Sequence, residues 1–111
     1  MAEQLFAVNR LKQDDNRIEE LEDFAAVLLD DSVEAKADTL LAGILGEAVK
    51  LGFERSDLAK ACEMTEPTIG RWLSRQVKPH PLVAKAAIRA ISKLAQDKSQ
   101  SIRTLRMRVQ Q

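Results

Sequence analysis

The chain is poor in the residues that cross-link small proteins or bind metals. Its 111 residues include one cysteine, one histidine, one tryptophan and no tyrosine. A single cysteine, Cys62, cannot form a disulfide within the chain, and one histidine with one cysteine is too few for an ordinary zinc site. No nucleophilic side chain and general base are spaced as in a catalytic triad, and no glycine-rich loop could hold a nucleotide. We therefore expect no metal, no cofactor and no enzymatic activity.

Aromatic residues are also scarce, at 4% of the chain, whereas leucine, isoleucine, valine and alanine supply most of the apolar content. This balance favours packed helices over a β-sandwich. The chain also lacks a signal-peptide pattern and an apolar run of membrane-spanning length, so we expect a soluble, cytoplasmic protein without membrane contact. Its length suits one compact domain with an extension.

The formal net charge is zero, but the charge is unevenly distributed. Residues 1–31 carry a net charge of −6, residues 32–54 carry −2, and residues 55–111 carry +8. Such asymmetry fits a polyanion-binding region joined to a segment with another role. The alternative is that charged, solvated faces happen to segregate along the chain.

Three segments have the periodicity of amphipathic helices: 17–29, about 33–51 and 82–96. We expect Ser32 to cap the second helix and Gly52 to end it. The expected buried residues are Ile18, Leu21, Ala25 and Leu28 in the first helix, Leu40, Leu41, Ile44, Leu45, Ala48 and Val49 in the second, and Ala84, Ala87, Ile88, Ile91, Leu94 and Ala95 in the third.

The C-terminal stretch 104–110 instead alternates apolar with polar residues, which is the period of a half-buried strand. We expect a short β-strand here, paired with residues 5–11 or with its copy in a second subunit. A frayed helix or a disordered basic tail is the alternative.

Residues 55–76 read RSDLAKACEMTEPTIGRWLSRQ and predict two short helices, 56–63 and 66–76, crossing at a steep angle. Such a crossing needs a small residue in the first helix, supplied by Ala59, and apolar residues at fixed offsets. Thr65 stands at the N-cap of the second helix, and Pro67 is tolerated in its first turn. The expected core residues are Leu58, Ala59, Cys62, Met64, Ile69, Trp72 and Leu73.

This segment resembles the Cro/repressor-like, or XRE, helix-turn-helix family. The matching residues are Leu58-Ala59, Thr68-Ile69, Arg71-Trp72-Leu73 and Lys78-Pro79. Glu63 and Arg75 differ, since the family usually has glycine at both positions. We expect the turn to hold Glu63 in a left-handed conformation or to adopt another geometry.

The resemblance implies an all-α helical bundle in which helix 66–76 enters the major groove of double-stranded DNA. The residues that it places against base edges are Glu66, Pro67, Thr68, Gly70 and Arg71. The residues that it places against phosphates are Arg55, Thr65, Ser74, Arg75, Gln76 and Lys78. Arg71 is the best candidate for a specific contact, because guanidinium can bond both O6 and N7 of guanine.

We therefore expect a homodimeric, sequence-specific transcriptional regulator, a repressor of a phage, plasmid or bacterial operon. Residues 32–97 would form the DNA-binding domain, 1–31 an acidic N-terminal extension for dimerisation or partner binding, and 98–111 a basic tail. One alternative is an antitoxin or adaptor that binds a protein partner through residues 14–31. A second is a DNA-organising or partition protein.

Overall fold

The computed structural model describes the backbone of residues 2–110 and the side chains of residues 15–108. Over this range the chain forms six α-helices and no strand. The helices are α1 (Ala2–Leu28), α2 (Asp31–Ala35), α3 (Ala37–Lys50), α4 (Arg55–Cys62), α5 (Glu66–Leu73) and α6 (Pro81–Gln110).

The expectation of a small all-helical bundle is confirmed, but the expected C-terminal strand is wrong. Residues 104–110 continue α6, and the Thr104 hydroxyl donates to the carbonyl of Gln100, 2.9 Å away and one turn earlier. A helix satisfies its backbone hydrogen bonds locally, whereas a strand needs a neighbouring strand. Residues 5–11, the partner expected within the chain, belong to α1 and are also helical.

The predicted second helix is divided in two. Lys36, with φ −120° and ψ 28°, interrupts the helical conformation between α2 and α3. The expected cap at Ser32 is also wrong, because the Asp30 carboxylate accepts hydrogen bonds from the backbone N–H and the hydroxyl of Ser32 (2.8 and 2.6 Å). A carboxylate only accepts hydrogen bonds, so the serine donates both and Asp30 takes the N-cap position. Both hydrogen bonds lower the pKa of Asp30, and the bond from the Ser32 hydroxyl has the larger effect.

One hydrophobic core joins all the longer helices, and the sequence periodicity finds most of it. The expected stripes on α1 and α6 are buried, apart from a half-buried Leu94. In α3 the stripe is narrower than expected: Leu41, Leu45 and Ala48 are buried, Ile44 is half-buried, and Leu40 and Val49 are exposed. The core includes Leu21, Ala25 and Leu28, so the later part of α1 belongs to the same core as α3 to α6, and its main contact is with α6. A domain boundary at residue 31 stays a prediction.

The helices α1 and α6 pack antiparallel, and a buried hydrogen bond joins them. The Ser92 hydroxyl, which is 1% exposed, donates to the carbonyl of Ala25 at 2.8 Å. That carbonyl belongs to the last turn of α1, whose carbonyls have no partner within their own helix. Farther along α6, Arg103 forms an ion pair with Glu22, and Arg106 forms one with Asp15. The order of these contacts establishes the antiparallel arrangement.

We predict that Ser92→Ala lowers the free energy of unfolding by about 1 to 3 kcal/mol, because it leaves the buried carbonyl of Ala25 without a donor. The control is Ser101→Ala, since Ser101 is exposed and its hydroxyl bonds only within α6, to Asp97. We expect this control to change stability by less than about 0.5 kcal/mol. Urea unfolding measures both values, and equal effects of the two substitutions would contradict the role assigned to Ser92.

Candidate nucleic-acid interface

The helices α4 and α5 pack against each other through the residues that the sequence predicts. Leu58, Ala59, Ile69 and Trp72 are buried between these helices and the rest of the core. Cys62 and Leu73 are half-buried against that core, whereas Met64, expected inside, is 36% exposed. The start of α4 is stabilised by Asp57, whose carboxylate accepts from the backbone N–H of Glu54 at 3.0 Å.

Three helices in succession end in the same turn. In each, a residue one or two positions beyond the helix end is left-handed, with φ 102° at Gly52, 57° at Glu63 and 62° at Arg75. The next N–H bonds a carbonyl five residues earlier, as from Met64 to Ala59 at 2.8 Å and from Gln76 to Arg71 at 3.0 Å. This is the Schellman motif, in which glycine normally takes the left-handed position. The expectation that Gly52 ends its helix is confirmed, and of the two alternatives for Glu63 the left-handed conformation is the one found.

We predict that Glu63→Gly raises the free energy of unfolding by about 0.5 to 1 kcal/mol. The left-handed conformation costs a residue with a Cβ roughly 1 to 2 kcal/mol, and the larger entropy loss of glycine on folding offsets part of the gain. The matched control is Glu47→Gly, at an exposed position inside α3. There glycine should destabilise the protein by about 1 kcal/mol. Urea unfolding should therefore give opposite signs, and a destabilising Glu63→Gly would be the contrary result.

The start of α5 is well defined. The Thr65 hydroxyl accepts from the backbone N–H of Thr68 at 3.4 Å and lies 2.9 Å from the Thr68 hydroxyl. Pro67 lies in the first turn, as the sequence predicts. The end is earlier than expected, since α5 stops at Leu73 and residues 74–76 form the turn. The predicted helix 66–76 is therefore three residues shorter.

One face of α5 points away from the core. Ile69 and Trp72 point inward, and Pro67 and Arg71 lie on the opposite side. Gly70 and Glu66 lie one turn apart along one edge of this outward face. Of the eleven residues proposed for DNA contact, nine are exposed, and Thr68 and Gly70 are half-buried. Ten belong to residues 65–78, and Arg55 comes from the start of α4.

Two of the cations proposed for phosphate binding have defined neighbours. The guanidinium of Arg55 lies across α5, where its Nη1 would be 3.3 Å from a Cβ at position 70. The ammonium of Lys78 lies 3.4 Å from a carboxylate oxygen of Asp38, in the first turn of α3. Sequence reasoning missed both neighbours, because each joins residues far apart in the chain.

Many of the opposite charges counted in the sequence face each other in the fold. Arg89 pairs with Glu34 at 2.6 Å, Arg103 pairs with Glu22 at 2.6 Å, and Arg106 pairs with Asp15. Acidic groups of α1 and α2 thus neutralise part of the basic charge of α6. The opposite net charges of residues 1–54 and 55–111 were the only signal of this pairing in the sequence.

Trp72, Cys62 and His80 have structural roles, although each is a residue type with its own chemistry. Trp72 is 5% exposed and belongs to the core, so it is not positioned to stack on a base. Burial raises the pKa of the Cys62 thiol to about 11, which keeps it protonated and unreactive at neutral pH. His80 accepts from the backbone N–H of Leu82 through Nδ1 (3.1 Å), at the start of α6.

This chain matches no model of a protein family, no curated protein and no solved structure. Among the described residues, no cluster of histidine, cysteine and carboxylate side chains could hold a metal ion. None of the helices in the described range is both long enough and apolar enough to cross a membrane.

Proposed function

We propose that this protein is a sequence-specific regulator of transcription that binds double-stranded DNA, and that it is not an enzyme. In this proposal α4, the turn at residues 63–65 and α5 form a helix-turn-helix of the XRE type, and α5 enters the major groove. A single module of this size contacts limited DNA, so we further propose that it binds as a homodimer to a roughly palindromic operator.

The observation that carries the proposal is the outward face of α5. This face presents Arg71, Pro67 and the turn residue Ser74 to solvent, while the opposite face is held in the core by Ile69 and Trp72. Arg71 makes no ion pair with any described side chain, so its guanidinium is available to a base edge. The helix is also held by contacts with α3 and α4, and a site built on a supported helix is positioned more precisely than one on a loop.

The turn geometry gives separate support. Glu63 and Arg75 stand where the family usually has glycine, and both adopt the left-handed conformation that glycine favours. The two departures from the family pattern thus change the residue type but keep a left-handed backbone, as expected where the family has glycine.

The internal ion pairs favour a DNA-binding regulator over an adaptor that uses the acidic segment to bind a partner. Asp15 and Glu22 are already engaged by Arg106 and Arg103 of the same chain. A basic partner that used these two carboxylates would have to compete with the two arginines.

Selection of bound sequences from random DNA tests the specific function. We expect an enriched, roughly palindromic site with half-sites about 10 base pairs apart, one turn of the double helix. Arg71→Ala should remove discrimination worth about 1 to 3 kcal/mol at one G·C position. Arg71→Lys is the matched control, because it keeps the positive charge but loses the paired donors of guanidinium. Failure to enrich any motif with the wild-type protein would rule out a sequence-specific regulator.

The pair of Lys78 and Asp38 provides a test of phosphate binding. If Lys78 neutralises a phosphate, Lys78→Ala should flatten the slope of log affinity against log salt by about 0.9. Asp38→Asn should strengthen binding about two- to fivefold, the value of an exposed ion pair that no longer competes for the lysine. Glu47→Gln is the control, since Glu47 pairs only with Lys50 in the same helix. Unchanged binding in both variants would remove Lys78 from the interface.

A further inference from the structure

The guanidinium of Arg55, from α4, lies beside position 70 on the outward face of α5, where the helix has glycine. Nη1 of Arg55 would be only 3.3 Å from a Cβ there, which is closer than ordinary van der Waals contact. Arg55 begins α4 and is exposed, and it forms no ion pair among the described residues. Its guanidinium therefore keeps its charge unneutralised beside α5.

The cost of glycine in a helix makes this position informative. Glycine within a helix is less favourable than alanine, and nothing in the packing of the core requires it here. The nearest group that an added Cβ would meet is the Arg55 guanidinium. Apart from the neighbouring backbone of α5 itself, no other atom lies within 4 Å of that position. At Gly43 and Gly46 of α3, by contrast, an added Cβ would meet nothing within that distance. Gly70 thus differs from the other glycines within helices by the arginine beside it.

We infer that Gly70 positions Arg55 to bind a phosphate of the DNA strand that flanks α5. The inference rests on the proposed function and deepens it, since Gly70 then acts through Arg55 and not by touching a base itself. Arg55 and α5 would bind DNA as one unit. Arg71 would contact the base edges, and Arg55 would contact the sugar-phosphate backbone of the DNA near Glu66 and Gly70. The partner group is a phosphate because a guanidinium at the edge of a groove-bound helix meets the sugar-phosphate chain first.

The experiment compares wild type, Arg55→Ala, Gly70→Ala, the double variant and the control Gly43→Ala. DNA affinity is measured over a range of salt concentrations on the site selected by the wild-type protein. We expect Arg55→Ala to weaken binding about tenfold and to flatten the salt slope by about 0.9. Gly70→Ala should weaken binding and flatten the slope in the same direction, and the double variant should bind no more weakly than Arg55→Ala alone.

Stability separates this effect from a disturbance of the fold. Both Gly70→Ala and Gly43→Ala replace a helical glycine and should raise Tm, because alanine favours the helix. Only Gly70→Ala should lower DNA affinity. In the free protein, the NMR signal of the Arg55 side-chain Nε–H should shift in Gly70→Ala and stay in place in Gly43→Ala.

Three results would overturn the inference. The first is that Gly70→Ala binds DNA with the same affinity and the same salt slope as the wild-type protein. The second is a further loss of affinity when Gly70→Ala is added to Arg55→Ala, which would mean that position 70 acts without the arginine. The third is a change of base preference in Arg55→Ala with an unchanged salt slope. If the wild-type protein binds no DNA, the proposed function itself fails, and that outcome is distinct from these three.

Discussion

The architecture depends on one face of α6. That face is built largely from small residues, Ala84, Ala87 and Ala95, together with Ile88 and Ile91, all of them buried. Small side chains let neighbouring helices approach closely, and α1, α3 and α4 all contact α6. The position of α5 follows indirectly, because α5 packs on α3 and α4. The outward face of α5 is therefore oriented by a helix that it barely touches.

The sequence predicts most of this fold, and the reasons are local. Apolar residues three and four apart identify the buried face of α1 and α6 because every residue of a helix turns by the same angle. The main failure, the expected strand, occurs where contacts between distant residues accompany a different local structure. Alternation over 104–110 suggested a strand, but this segment already continues a helix whose arginines reach the carboxylates of Glu22 and Asp15. Contacts between distant residues cannot be seen in a local pattern.

The candidate interface shows the same division. The offsets of Ala59, Ile69 and Trp72 were enough to predict how α4 and α5 pack, and the structure buries all three. The roles proposed for Gly70 and Lys78 depend on neighbours fifteen and forty residues away in the chain, Arg55 and Asp38. An offset within a motif gives the face on which a residue lies. It does not predict which side chain from another helix lies against that face.

The contact between Ala25 and Ser92 also affects how the chain reaches its fold. The two residues are 67 positions apart, so their hydrogen bond closes a loop that contains α2 to α5. Contacts between such distant residues form late, since the entropy of closing the loop must be overcome before the contact contributes. On a ribosome, α1 is complete long before α6 is made. Its apolar face, with Leu21 and Leu28, therefore has no α6 to cover it during most of synthesis, a period in which chaperones or aggregation compete with folding.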